Sequence, residues 1–243
     1  MRQTLTFAAA LLLTAAATGA QTQAPTPTVN ELIAKNLEAR GGERRLQSID
    51  TRRVTGTITI GEREAKLRVL AKRPNLMLQE MQDGEQRFVT AYDGQQAWAV
   101  NPMLGDRPQR IEGPPADALR DQAQFDGPLV GAHRRGDKID VVGPEIVEGV
   151  PTWKLAIHSG DRVMHVFLDQ KTGLERKVSA TIAGEAGDVL VESVFSDYAT
   201  VDGAMMPRRV ETRVGGELQA TVRLETVEFN APLEDAEFRM PTD

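Results

Sequence analysis

The sequence predicts a mainly β protein (α+β): one large curved antiparallel sheet with a few short helices on its concave face. Three observations carry that prediction. Near residue 50 the apolar spacing changes from a period of about 3.6 to a period of 2. Asp83-Gly84 and Asp93-Gly94 sit between alternating runs, the pattern of tight hairpins. About a dozen candidate strands follow at short intervals, and an open sheet that wide must curl or split.

The elements follow in chain order. Arg2 precedes an apolar run, Leu5 to Ala17, and small residues ending at Ala20, the layout of a cleaved secretory signal over residues 1–20. The run is too short and too Ala-rich for a spanning helix. Residues 21–27 are a polar, Pro-bearing flexible lead-in, and 28–243 form a single domain. Thr28 and Glu31 have the spacing of a capping box, after which Val29, Leu32, Ile33 and Leu37 share one helical face until Gly41-Gly42. A second helical piece covers Glu43 to Ser48. Val54, Gly56, Ile58 and Ile60 then alternate with Thr55, Thr57 and Thr59, a half-buried strand.

Further strands are expected over Ala65–Lys72, Leu76–Gln82, Gln86–Tyr92 and Gln95–Val100. Asn101–Gly113 reads as loop. Pro114–Asp126 reads as a short helix with Leu119 and Ala123 on its apolar stripe. Strands resume at Lys138–Val142, Thr152–His158, Arg162–Leu168, Leu174–Ala183, Val189–Phe195, Arg208–Val214 and Leu218–Phe229.

Bulk properties exclude several function classes. The formal charge is −6, and removing residues 1–20 takes away only Arg2, giving −7, so nucleic acid is not an expected partner. The absence of cysteine excludes a disulfide scaffold, a thiol enzyme and a lipid anchor after the signal. The expected location is the periplasm, as a soluble monomer.

The search for chemistry yields little. His158, Asp161 and His165 could be imagined around a zinc ion, but His158 shares parity with Lys154 on the polar side and a third spaced ligand is missing. His158-Ser159-Gly160-Asp161 holds all three triad residue types, yet neighbours in one turn cannot form that geometry. Arg135-Gly136-Asp137 is explained by a turn at a strand entry. Glu234, Asp235 and Glu237 read as a solvated turn rather than paired catalytic carboxylates. No phosphate loop or nucleophile elbow is present. The expectation is a non-enzymatic protein with no cofactor and no metal.

Several segments together resemble the LolA-like superfamily of outer-membrane lipoprotein-sorting proteins and their periplasmic relatives. They include ELIAKNLEARGG (31–42), YDGQQAWAVNPMLG (92–105), FDGPLVGAHRRG (125–136), EIVEGVPTWKL (145–155), LDQKTGLERKV (168–178), DYATVDGAMMPRRVET (197–212) and FNAPLEDAEFRMP (229–241). The resemblance covers nearly everything after the lead-in. It implies a half-closed β-barrel whose concave face, plugged by short helices, forms an apolar pocket for acyl chains of lipoproteins or lipids. It also implies a membrane-anchored donor or acceptor protein as partner, and it carries no catalytic residues. Two alternatives remain at this stage: an envelope-stress sensor or protein-interaction module on the same fold, and a hydrolase of lipid esters.

The candidate pocket wall comprises Trp98, Val100, Met77, Met81, Met103, Arg52 and Arg176. Trp98 and Val100 share parity in one strand, so Trp98 is a core residue and, on the container reading, also pocket wall. Met77, Met81, Met103, Met205 and Met206 suit an adaptable lining and equally suit plain core filling. Arg52 shares parity with Val54, Ile58 and Ile60, and Arg176 with Leu174, Val178, Ala180 and Ile182. Each either snorkels to water from a strand end or stands at the pocket mouth, bonding a cargo headgroup or the carbonyls of a plugging helix.

Overall fold

The computed structural model describes residues 25–184 and 187–242; the signal sequence expected over 1–20 lies outside the described residues. Helix α1 (Val29–Ala39) begins with the capping box read from sequence: the Glu31 N–H donates to the Thr28 hydroxyl, and the Thr28 N–H donates to the Glu31 carboxylate at 2.7 Å. It stops at Gly41, which has φ +117°. A Cβ there would lie 2.2 Å from the Gly203 carbonyl oxygen, so the close approach of helix end to sheet requires glycine. The short α2 (Glu43–Gln47) leads into the sheet.

Six strands follow as a meander: β1 (Thr51–Ile60), β2 (Arg63–Lys72), β3 (Leu76–Asp83), β4 (Gln86–Tyr92), β5 (Ala97–Asn101) and β6 (Gly105–Ile111). The chain then crosses through α3 (Pro114–Gln122) and α4 (Pro128–Arg135) to the opposite edge. There it winds back through β7 (Lys138–Val147), β8 (Val150–Ser159), β9 (Arg162–Asp169), β10 (Glu175–Gly184), β11 (Gly187–Val201), β12 (Ala204–Val214) and β13 (Glu217–Phe229). The order is β6-β5-β4-β3-β2-β1-β13-β12-β11-β10-β9-β8-β7, antiparallel throughout. The edges β6 and β7 do not pair, so the sheet is not a closed barrel.

Helix α3 demonstrates the curl. It packs Ala116 and Leu119 on Tyr92 and Ala97 of β4 and β5, yet its Asp121 accepts from Arg162 at the start of β9 at 2.8 Å. In a flat sheet β5 and β9 would be nine strand steps apart, about 43 Å at about 4.8 Å per step. A nine-residue helix is only about 13 Å long. The sheet must bend round to bring the two within reach of α3.

Register then shows that α1, α3 and α4 share one face. Ala71, Met77, Tyr92 and Ala97 are cross-strand partners in the row under α3. Leu155, Val166 and Val178 form a row under Leu32 and Ile33 of α1 and Leu129 and Ala132 of α4. Partners carry that second row on through Ser193, Thr212 and Ala220, beside Val222, Ile58 and Ala65. This is the inner face. The opposite row, Leu70, Leu78, Ala91 and Trp98, is covered by the C-terminal segment, with Leu233 and with Phe238 from a short 3-10 helix (Asp235–Phe238).

Several sequence expectations are corrected; among them β11 runs six residues past the expected end at Phe195 and β12 begins four residues before the expected Arg208. Residues 105–111, expected as loop, form β6: an edge strand needs no apolar alternation, and its solvated outer side tolerates Pro108. β7 runs five residues past the expected end at Val142, through a bulge between Val141 and Gly143 that interrupts the periodicity. The helical stretch expected to reach Asp126 ends at Gln122, and a separate α4 begins at Pro128, with proline in the first turn and Gly136 in the left-handed conformation at its end.

Candidate functional site

The inner face is covered unevenly. Toward β7–β9 it lies under α1 and α4, and toward β4–β5 under α3. Between them, a cluster of Ile58, Ala65 and Leu67 with Val69, Met81, Ala220 and Val222 contains strand residues only. Val210, the partner of Val222, extends it onto β12. The result is an aliphatic strip running up the inner face, with Ile58, Ala65 and Leu67 buried and Val69, Met81, Val210, Ala220 and Val222 half-buried, where the curl of the sheet rather than a helix provides the shelter.

Below the strip, the turn joining α3 to α4 is held by arginines. Arg73 makes a bidentate pair with Asp126 at 2.7 and 2.6 Å, while its Nε donates to the Ile49 carbonyl and its Nη2 to the Leu46 carbonyl. Arg134 also bonds Asp126. Arg40, at the end of α1, donates to the Asp126 carbonyl at 2.9 Å, and Arg52 donates to the Phe125 carbonyl at 3.0 Å. The guanidiniums of Arg52 and Arg73 stand over the buried Phe125 ring, 4.3 and 4.6 Å from its centre. Burial works to raise the Asp126 pKa, but the Arg73 bonds and the charges of Arg73, Arg134 and Arg40 outweigh it and hold the carboxyl below its usual range. Burial, then the repulsion of Arg40, lowers Arg52 to about 10. This is a latch: four arginines from four separate parts of the chain close on two residues, Phe125 and Asp126, of one turn.

Glu175 borders the latch. A bulge between Glu175 and Lys177 sets the Glu175 carboxylate on the inner face, where Oε1 is buried without a hydrogen-bond partner among the described residues. Burial raises its pKa, opposed only in part by Arg40. The same bulge breaks the alternation used to place Arg176, whose Nε is likewise buried and unpartnered among the described residues.

The seven expected wall residues do not share one wall. Arg52, Met77 and Met81 lie on the inner face: Arg52 in the latch, Met77 under α3 and Met81 in the aliphatic strip. Trp98 and Val100 face the other way, and Trp98 Nε1 donates to the Phe238 carbonyl at 2.8 Å. A cavity of about 540 Å³ adjoins them, lined also by Leu78, Met240 and Arg239. Met103 is 71% exposed at the β5–β6 turn. Of the other methionines, Met206 shares the inner parity of Ala204, and Met205 points away. Latch members Arg40, Arg73, Phe125, Asp126 and Arg134 were missed by sequence reasoning. Their only signal is that Phe125, Asp126 and Arg134 fall in the segment 125–136 and Arg40 in the segment 31–42, both among those carrying the resemblance; Arg73 falls in none.

Several of the remaining candidates have structural partners, whereas Asp161 is exposed at the β8–β9 turn. His158 Nε2 bonds Asp140 at 2.9 Å on the outer face. Arg135 bonds Asp137 at 2.7 Å and Gln124 at 2.9 Å. Asp235 pairs with Lys72 at 2.7 Å, while Glu234 and Glu237 cap the 3-10 helix. Among the described residues no group of three His, Cys, Asp or Glu side chains could hold a metal ion.

No family model and no curated protein matches the chain. Its fold does match solved structures. A domain from Vibrio parahaemolyticus described as an outer membrane lipoprotein-sorting protein is 12% identical with a TM-score of 0.59, over 86% of this chain and 94% of that one. A DUF1329 family protein from Desulfovibrio piger gives 12% and 0.61, over 88% and 98%. A LolA superfamily protein from Nitrosomonas europaea gives 16% and 0.57, also over 88% and 98%. At these identities the likeness is one of fold, and the chain has the LolA-like fold.

Proposed function

We propose that this protein is a periplasmic, non-enzymatic carrier or binding protein for acyl chains of lipoproteins or lipids, taken up along the inner face. The observation that carries this reading is the aliphatic strip from Leu67 and Met81 to Val222, which the curled sheet shelters but no helix fills. The fold it shares with a described lipoprotein-sorting domain supports it. Burying about ten methylenes at roughly 0.8 kcal/mol each contributes about 8 kcal/mol, micromolar binding before ordering costs, and therefore reversible.

On this reading α3 is the movable cover, while α4 stays anchored in the core through Leu129, Val130 and Ala132. The α3 side of the turn is held by the hydrogen bonds and cation–π contacts at Phe125 and Asp126 and has no buried residue within the helix itself, so α3 can part and reform at modest cost. Arg52 then acts by holding the plug through the Phe125 carbonyl. The test is native mass spectrometry of protein purified from periplasm. Bound lipid, or uptake of acyl chains from detergent-solubilised lipoprotein, is the expected result. A chain that arrives empty and takes up nothing removes the carrier reading.

A further inference from the structure

Nine large apolar side chains are strongly exposed among the described residues, and seven of them border hairpin turns at one end of the sheet. The other two, Val142 and Ile146, sit on the edge strand β7. Because the strands alternate in direction, the turns β1–β2, β3–β4, β5–β6, β8–β9, β10–β11 and β12–β13 all lie at that end. Ile60 leads outward from the aliphatic strip, Leu218 is turned to the other face of the rim by the bulge that makes it the partner of Arg213, and Leu104 is 71% exposed at the β5–β6 tip. Exposed apolar side chains gathered at one place mark an interaction surface, whereas single scattered ones do not.

The charge around them identifies what fits. Each of the six turns presents an exposed carboxylate with no ion-pair partner among the described residues: Glu62, Glu85, Asp106, Asp161, Asp188 and Glu217. The arginines nearby are mostly engaged, Arg63 with Asp83, Arg87 with Glu80 and Arg162 with Asp121. An apolar surface ringed by unneutralised acid repels an anionic bilayer and a second copy of itself, and attracts a basic partner. Spacing adds a shape. Neighbouring hairpins are two strands apart, about 9.6 Å, close to the rise of about 10.5 Å over seven residues of α-helix. We propose that this end docks an amphipathic, basic helical segment of a partner protein, its leucine-type side chains meeting Ile60, Leu104 and Leu218 and its lysines or arginines meeting the turn carboxylates. The proposal does not require the strip to hold acyl chains.

The probe is a dye-labelled amphipathic peptide of leucine and lysine, followed by anisotropy against the full chain, beside a counterpart with glutamate at every lysine. The lysine peptide should bind and the glutamate peptide should not. Leu104→Asn with Leu218→Asn should weaken binding about tenfold or more, as loss of central apolar anchors does. Glu62→Gln with Glu217→Gln should reduce the salt dependence, whereas Glu38→Gln with Glu225→Gln, away from these turns, should leave it unchanged. Equal binding of both peptides, indifference to the end variants, preference for phosphatidylglycerol vesicles over the peptide, or self-association through this end in sedimentation would each overturn the proposal. Native mass spectra of the same variants keep the two ideas separable, since a variant that still carries lipid while losing the peptide bears on the docking end alone.

Discussion

The two faces of strands β2–β5 are built from one alternating sequence and covered in opposite ways. On the outer face the C-terminal segment is fastened at several points: Trp98 bonds the Phe238 carbonyl, Lys72 bonds the Leu233 carbonyl and pairs with Asp235, and Thr51 bonds the Ala231 carbonyl. Beneath it Leu70, Ala91 and Val89 are essentially dry. On the inner face the cover is α3, a short helix with no buried residue of its own, followed by Ala123 and Phe125 and closed at that turn by arginines. Apolar cover of a whole row fixes structure, while a polar clasp at one point leaves the cover free to move. The comparison divides the expected phenotypes: outer-face changes should cost stability, and inner-face changes should alter exchange.

The largest effect is expected at Trp98. Trp98→Ala removes a buried aromatic and strands the Phe238 carbonyl, costing about 3–5 kcal/mol in urea unfolding. Lipid affinity at temperatures where the variant is folded should not change. A stable variant with reduced lipid uptake would move Trp98 to the functional face and undo the division.

Asp126→Asn comes next. It leaves Arg73 and Arg134 without their carboxylate, at about 1.5–3 kcal/mol for lost charge-assisted bonds. Acyl exchange, followed by transfer of a fluorescent fatty acid, should accelerate. The pH dependence sharpens this. Because the folded pKa of Asp126 is depressed, its contribution is present at neutral pH and is lost as pH falls through that folded value, and the Asn variant should lack that part of the acid transition.

Arg52→Leu should be milder in stability, about 1 kcal/mol, since one hydrogen bond and one cation–π contact are exchanged for apolar packing. Release of cargo should be altered more than folding. An unchanged transfer rate would leave Arg52 a purely structural tie on the turn, with no part in release.

The smallest effect is expected at Glu175. Its folded pKa is raised, so the ionised form opposes folding at neutral pH, and the penalty vanishes below the unfolded value of about 4.3. Glu175→Gln should raise the melting temperature at pH 7 and leave it unchanged near pH 4. A uniform shift at both would mean that the side chain matters through shape rather than charge.

Much of this fold was legible because alternation and turn chemistry are local. The capping box at Thr28, the hairpin at Asp83-Gly84 and the row Val54, Ile58 needed no knowledge of neighbours. Alternation says which residues within a strand share a face; it does not say which face of the sheet that is. Trp98 and Met77 were therefore grouped together, and only the register Leu78–Ala91–Trp98 against Met77–Tyr92–Ala97 separates them. Bulges defeat the pattern outright, as at Glu175. The latch was not legible because it joins Arg40, Arg52, Arg73 and Asp126 across more than eighty positions of chain, a closeness created by the curl alone.

The open edges of the sheet have a consequence of their own. Thirteen strands left unclosed offer β6 and β7 as templates on which another chain could extend a ribbon, the first step toward fibres. Both edges are blunted. Pro108 interrupts the donors of β6 between Arg107 and Arg110, and β7 carries Pro144 beside its Gly143 bulge, with Lys138 and Asp140 at its start. A sheet whose rims refuse new partners can therefore stay open, its interior reachable between them, without polymerising.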